Sequence, residues 1–258
     1  MRALVLSGGP LHDFATTTPM LVDLLAEAGL TSTVVAEPQE AVAALRGAAD
    51  GSGDHIDLLV FHTLRWTMAE PGREELRARW GVTLSNGDES VIDGFVRSGG
   101  GMLALHTAVV CFDGTPTWKG LCGAVWRWDA SSHPPPGEVG VEVTETGRHH
   151  PVTAGIESFT IVDEVYGFLD EVADVDALCH SPHGGRDHPL VWARSVGRGR
   201  VVTDLLGHSR DSFDHPAHRQ LLVQAARWCS GIAPADVRAD VAQIAPAELR
   251  YSSTESAP

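Results

Sequence analysis

The hydrophobic pattern of the chain changes character near its middle. In the first hundred residues, short runs rich in Val and Leu alternate with longer stretches of helical spacing. Arg2–Gly9 (RALVLSGG) is apolar without alternation and closes on glycines, as a strand buried on both faces of a parallel sheet does. Residues 16–30 (TTTPMLVDLLAEAGL) carry apolar positions at helical spacing. Thr17 and Thr18 are expected to cap this helix, Pro19 to sit in its first turn and Gly29 to stop it. The rhythm repeats with a strand at 31–37, a helix at 38–48, a strand at 56–62, a capped amphipathic helix over 85–100 and a strand at 101–106 (GMLALH). Strands alternating with helices predict a parallel sheet, right-handed crossovers and helices on both faces.

The second half reads differently. Residues 139–145 (VGVEVTE) alternate, as a half-exposed strand does. Short strands are expected at 159–168, 176–181 and 189–195, then a last buried strand within 197–208 and a closing helix over 215–231. Residues 181–189 (SPHGGRDHP) read as a mobile loop. Beyond Gly231 the composition shifts to Ala, Pro, Asp and Ser. The expectation is one α/β domain over 1–231 and a C-terminal extension over 232–258, packed on the surface and partly disordered. There is no internal repeat.

This pattern fixes where ligands should gather. In an open parallel sheet they bind beyond the carboxyl ends of the strands. Histidines fall at four such ends: His12 in SGGPLHDF, His62 in VFHTLRW, His106 in GMLALHTA and His208 in LLGHS. His106 is flanked by Ala104 and Ala108, small residues that suit a sharp strand-to-helix elbow. Each histidine also has a plain reading as a loop residue, and His62 can point back into the sheet. Neutral imidazoles bind zinc and similar metals, with carboxylates completing the set, and they serve as acids and bases near neutral pH. VDEVYGF adds Asp163, Glu164 and Tyr166. If it is a strand, the two acids face opposite ways and only one reaches the pocket. His133 stands in the proline-rich SSHPPPGE. His149 and His150 precede a proline turn. Of Trp118, Trp126, Trp128 and Trp192, most are expected in the core, while one or two can line a sugar site with an aromatic face. No serine or cysteine occupies the elbow. Cys111 is expected five residues on, inside a helix, so a Cys–His nucleophile is disfavoured there.

Composition then narrows the classes. The chain has 258 residues, enough for a sizeable core, and a net charge of −15, which disfavours nucleic acid and anionic membranes as partners. Its four cysteines lack metal-clip or redox spacing and read as reduced cytoplasmic thiols. The N-terminal apolar run is too short for a signal peptide, and no segment has the length of a membrane span. There is no G-x-G-x-x-G and no Walker lysine, so no nucleotide is expected. Homo-oligomerisation is left open.

Taken together, GGGMLALHTA, WKGLCGAVW with SSH, HHPVTAGIESFTIVDEVYGF and PLVWARSVGRGRVVTDLLGH resemble the ThuA-like, trehalose-utilisation family over roughly residues 2–231. The resemblance implies a class I glutamine amidotransferase-like fold, a flavodoxin-like three-layer sandwich with a mostly parallel central sheet. Amidotransferases carry a cysteine at the elbow. His106 stands there here, so glutaminase activity is not expected. The family is linked to trehalose and related sugars, which implies a carbohydrate substrate. His106, Glu164 and the Gly207–His208 pair match family positions; His12 matches more loosely and His62 departs from them. The expected assignment is thus catalytic His106, Glu164 and His208, metal-binding His12, His106 and His208, and substrate-binding His133, Trp126 and Tyr166. The cofactor would be a divalent metal, zinc before manganese or nickel. The reaction would be isomerisation, elimination or hydrolysis of a keto-sugar or glycoside. The alternative is a non-catalytic sugar-binding or regulatory module on the same fold.

Overall fold

The computed structural model describes residues 1–172 and 175–233. Its elements, in chain order, are β1 (Arg2–Gly8), α1 (Phe14–Glu27), β2 (Thr31–Val35), α2 (Pro38–Asp50), β3 (Leu58–Thr63), α3 (Glu74–Trp80), α4 (Asn86–Arg97), β4 (Gly101–Leu105), α5 (Trp118–Cys122), β5 (Ala124–Val125) and β6 (Gly137–Val143). There follow α6 (Glu145–Arg148), β7 (Phe159–Asp163), β8 (Asp170–Glu171), β9 (Asp176–His183), β10 (Arg186–Val196), β11 (Gly199–Asp204), α7 (Arg210–Asp214) and α8 (Pro216–Ser230).

The main sheet runs β2-β1-β3-β4-β11-β10-β9-β6-β7. Its first five strands are parallel and take the flavodoxin-like order, with a switch point between β1 and β3. The remaining four are antiparallel. Alternation along each parallel strand feeds two cores. Ala3, Val5, Leu58, Val60, Leu103 and Val202 face Leu21, Leu24 and Leu25 of α1 and Leu221, Leu222 and Ala225 of α8. Leu4, Leu6, Leu59, Phe61, Met102 and Val201 face Ala41, Val42 and Leu45 of α2 and Ile92 and Val96 of α4. Each buried leucine in these layers contributes about 1.5–3 kcal/mol of transfer free energy.

Several expectations need correction. Helix α1 starts at Phe14, not at the threonines. The Asp13 carboxylate accepts from Thr16 N at 3.1 Å and forms the cap, leaving Pro19 inside the helix. The stretch 159–168 is not one strand, because β7 ends at Asp163. Residues 181–189 are not a mobile loop. They belong to β9 and β10, joined by a two-residue turn at Gly184–Gly185. Helix α3 lies in a segment whose pattern gave no signal. The extension is described only to residue 233; its remainder lies outside the described residues. The four cysteines are free and buried. Among the described residues, no helix is long and apolar enough to cross a membrane.

The sheet is far from flat. β7 is four strands from β11, about 19 Å away if the strands lay in one plane. Yet Asp163, at the end of β7, accepts a hydrogen bond from Gly207 N, just past β11. The antiparallel half therefore curls back over the ends of the parallel strands.

Candidate metal centre

The site is built outward from the end of β4. All five residues of that strand are buried, and His106 follows it with φ +48. A left-handed conformation at a non-glycine residue costs about 1–2 kcal/mol, and here it aims the imidazole off the sheet edge. A single 3₁₀ turn over residues 106–110 comes next, in place of the expected helix. Cys111 thus follows the turn rather than lying in a helix. Its thiol donates to Thr63 O at 3.1 Å, and burial pushes its pKa up to about 12. Thr107 donates to the same carbonyl at 2.7 Å. Neither side chain is available as a nucleophile.

Three other segments converge on His106. His12 comes from the loop after β1, immediately before the α1 cap. That loop passes so close to β3 that a Cβ on Gly9 would lie 2.4 Å from Leu64 O, which only glycine avoids. His208 comes from the loop after β11, and Glu164 follows β7. His12 Nε2 lies 3.1 Å from His106 Nε2. Glu164 Oε2 lies 3.5 Å from His106 Nε2 and 3.2 Å from His208 Nδ1. One potential ligand atom from each of the four residues lies within 4.8 Å of every other.

Two observations show how this set is prepared. His106 Nδ1 sits 2.7 Å from Leu205 O, and a carbonyl can only accept, so Nδ1 carries the proton. The Nε2 lone pair is thereby directed into the cluster, as in histidines that ligate metals. Second, Glu164 Oε2 and His208 Nδ1 are buried yet make no well-formed hydrogen bond, although they are neighbours. Neither atom satisfies the other, and buried polar atoms are seldom left so. Zinc–ligand distances of about 2.0–2.1 Å in tetrahedral geometry would place donors about 3.3–3.5 Å apart; three pairs lie at 3.1, 3.2 and 3.5 Å, and the set spreads to 4.8 Å. Three imidazoles and one carboxylate can hold a divalent metal.

The charge states of His12 and Glu164 agree with this, whereas that of His208 is set by its carboxylate neighbour. Burial, reinforced by His106 and His208, pushes His12 down to about 3, so it is neutral and able to ligate. Burial pushes the Glu164 carboxyl up, but the imidazoles of His106 and His208 outweigh it and hold it well below the usual carboxylate range. Glu164 raises His208 above its ordinary value against the opposing effect of burial. Burial, with Glu164 and Asp163 nearby, holds the Tyr166 hydroxyl well above its usual pKa.

The expected substrate residues border the cluster. Tyr166 Oη is 3.2 Å from His106 Nε2, and His133 Nδ1 is 3.1 Å from Glu164 Oε1. The Trp126 ring lies 5.4 Å from that of Tyr166 and 5.9 Å from that of His133. His62 is not part of the group. It lies inside β3, 2.9 Å from Thr17 Oγ1 and edge-on to Phe14 and Phe213. Burial, with His106 and His12 close by, pushes its pKa down to about 3. His150 accepts from Val152 N in a turn, and His188 accepts from Phe168 N beside the β9–β10 hairpin.

Asp163, weighed in the sequence only as a rival to Glu164, holds the backbone around the cluster instead. Asp163 is buried and spends its carboxylate on backbone amides: Gly207 N at 2.7 Å, His208 N at 3.2 Å and Glu164 N at 2.8 Å. It fastens the Glu164 segment to the His208 loop. A second carboxylate, Asp204, accepts from Leu206 N in the same loop at 3.0 Å and lies 3.0 Å from His218 Nε2. The only sequence signal for Asp163 was its place beside Glu164, which made the two look like rivals.

Solved structures share this architecture, although no curated protein matches the chain in sequence. A protein described as ThuA-like from Parabacteroides merdae ATCC 43184 superposes with a TM-score of 0.70 at 18% identity, over 89% of this chain and 90% of that one. A second such protein, from Bacteroides uniformis ATCC 8492, gives 0.65 at 18% identity over 89% and 91%. A cytoplasmic protein from Salmonella typhimurium gives 0.59 at 12% identity over 88% and 98%. At these identities the likeness establishes the fold. The family model for ThuA, described as trehalose utilisation, matches residues 2–229, and the chain belongs to that family.

Proposed function

We propose that this protein is a carbohydrate-acting enzyme in which His12, His106, His208 and Glu164 hold a divalent metal, zinc before manganese or nickel. The observation that carries this reading is the pair of buried, unsatisfied atoms, Glu164 Oε2 and His208 Nδ1, beside a His106 whose Nε2 lone pair is fixed inward. The family description, trehalose utilisation, supports a sugar or keto-sugar as substrate. When bound, the metal would polarise a sugar carbonyl or hydroxyl oxygen. Around it, Tyr166 stays protonated and can donate to a substrate oxygen. His133 is half-exposed beside Glu164 and can hydrogen-bond a substrate oxygen. Trp126 offers an aromatic face to sugar C–H groups. Isomerisation, elimination and hydrolysis of a keto-glycoside all use these parts. The free buried thiols support a cytoplasmic setting.

Elemental analysis of protein purified without tags or chelators tests the reading. Near-stoichiometric divalent metal that falls in both His106→Ala and His208→Ala is the expected result. A parent that takes up no metal after reconstitution overturns it and leaves plain sugar binding as the function to pursue.

A further inference from the structure

We propose that the Tyr166 hydroxyl is a rival of the metal: the two compete for the single Nε2 lone pair of His106, so that loading the centre frees a hydrogen-bond donor for the substrate. This rests on the metal reading above and adds an order of events to it. His106 Nδ1–H donates to Leu205 O at 2.7 Å, so Nε2 can only accept. Tyr166 Oη lies 3.2 Å from that atom and donates to it. An imidazole acceptor nitrogen has one lone pair, which a hydroxyl hydrogen and a metal cannot share. His12 Nε2 approaches the same atom to 3.1 Å, but a neutral imidazole can carry its proton on either nitrogen. A phenol has one oxygen and one hydrogen. Burial, with the charges of Glu164 and Asp163 close by, opposes the loss of that hydrogen. Tyr166 is therefore the donor that cannot yield by moving its proton within its own ring.

The ring is also held where it stands. Tyr166 is 3% exposed, and the rings of His106, His133 and Trp126 lie 4.8, 5.2 and 5.4 Å from it. Its neighbour Gly167 is bridged to Ser132 by two backbone hydrogen bonds, donating at 2.9 Å and accepting at 3.2 Å. A Cβ on Gly167 would lie 2.8 Å from His183 Cδ2, and Phe168 N donates to His188 Nδ1 at 3.3 Å. The β9–β10 hairpin thus fastens the corner that carries Tyr166. What turns freely is the hydroxyl hydrogen, about one C–O bond. Once the His106 lone pair is taken, that hydrogen needs another acceptor, because a buried donor left unpaired is costly. Glu164 is engaged in this reading, by the metal through Oε2 and by His133 beside Oε1 at 3.1 Å. A substrate oxygen that accepts from Tyr166 offsets the cost. Metal and substrate then tighten each other's binding by the same factor.

Competitive chelator titration of zinc into the parent and Tyr166→Phe tests this. Phenylalanine fills the same space and has no hydroxyl to strand, so the variant is expected to bind zinc about tenfold more tightly. Equal affinity overturns the proposal. Weaker affinity overturns it too, and makes the hydroxyl a support for a ligand. A second readout does not depend on zinc. The chain has two tyrosines, Tyr166 and Tyr251, the latter outside the described residues. In Tyr251→Phe protein with isotope-labelled tyrosine, the C–O stretch in the infrared difference spectrum reports whether the Tyr166 hydroxyl donates. After metal is stripped by chelator, His106→Asn is expected to move that band, since asparagine tolerates the left-handed backbone and lacks Nε2. A band that stays in place overturns the proposal. The two failures are distinct. Zinc bound no more tightly by Tyr166→Phe than by the parent sinks the competition alone, whereas zinc bound by neither protein sinks the reading beneath it and this proposal with it.

Discussion

Two buried histidine–carboxylate groups meet the loop that follows β11, and they are finished differently. At its start, His218 has partners on both nitrogens: Asp204 Oδ2 at 3.0 Å, and Ser212 Oγ and O at 3.0 and 2.9 Å. The remaining Asp204 oxygen accepts from Leu206 N. Nothing in that group is left over, and it is sealed from solvent. At the loop's end, His208 and Glu164 lie as close together, yet each keeps a buried atom without a hydrogen bond. Residue type does not separate the two groups, and burial does so only at His208, which is about 24% exposed. Satisfaction separates them. A complete polar network fixes structure, while an incomplete one is costly unless something outside the chain completes it.

The comparison can be broken most directly at His208. Its replacement by alanine is expected to drop metal content from about one equivalent to near zero with folding retained, read by elemental analysis and circular dichroism. The same experiment on His218→Ala is expected to give the reverse. The fold should lose about 3–5 kcal/mol, because Asp204 is left charged and unpaired in the interior, while protein still folded at low temperature keeps its metal. Denaturant unfolding measures the first effect. Asp163→Asn falls between the two groups. An amide cannot accept at both ends, so one of the backbone amides it holds loses its partner. Metal affinity should weaken about 10–100-fold by competitive chelator titration.

The pH dependence sharpens the contrast further. Burial presses His218 down, but the Asp204 charge and hydrogen bond, helped by Asp163, outweigh it and raise its pKa above the ordinary 6.5. A raised folded-state pKa gives stability that is fully present below about 6.5 and is lost as pH rises through the folded value. The melting-temperature gap between parent and His218→Gln should therefore be widest in mild acid and shrink toward alkaline pH. A gap that grows with pH would reverse the assignment. The smallest effect is expected at Cys111. With its thiol neutral, Cys111→Ala should leave metal content unchanged, and only the modest cost of a lost sulfur contact should appear in melting.

The sequence carries the parallel half of the sheet plainly, since strands buried on both faces read as unbroken Val and Leu runs. It also places three of the four site residues, because a histidine just past such a run must lie at the sheet's carboxyl edge. What separates His62 from His106 is a single residue of strand boundary. β3 runs on to Thr63 and keeps His62 within the sheet, paired with Ser7, while β4 stops at Leu105 and releases His106. Pattern reading does not resolve a boundary that finely. Asp163 and Glu164 posed a false choice for a similar reason. Strand alternation holds only inside a strand, and β7 ends between them. Both acids serve the site, one through backbone amides and one directly. The curl that brings β7 to β11 leaves no mark in local periodicity at all.

That curl also sets a schedule. The Asp163–Gly207 hydrogen bond spans 44 residues, the His12–His106 contact 94 and the His106–Leu205 bond 99. Contacts of such separation close late in folding, after the loops between them have been ordered. On the ribosome, the imidazole from the first loop waits for nearly the whole domain to emerge before it has neighbours. The four-residue centre first exists when residue 208 has left the exit tunnel and the antiparallel strands have folded back. A ligand that needs all four residues is thus bound only by a domain folded through residue 208.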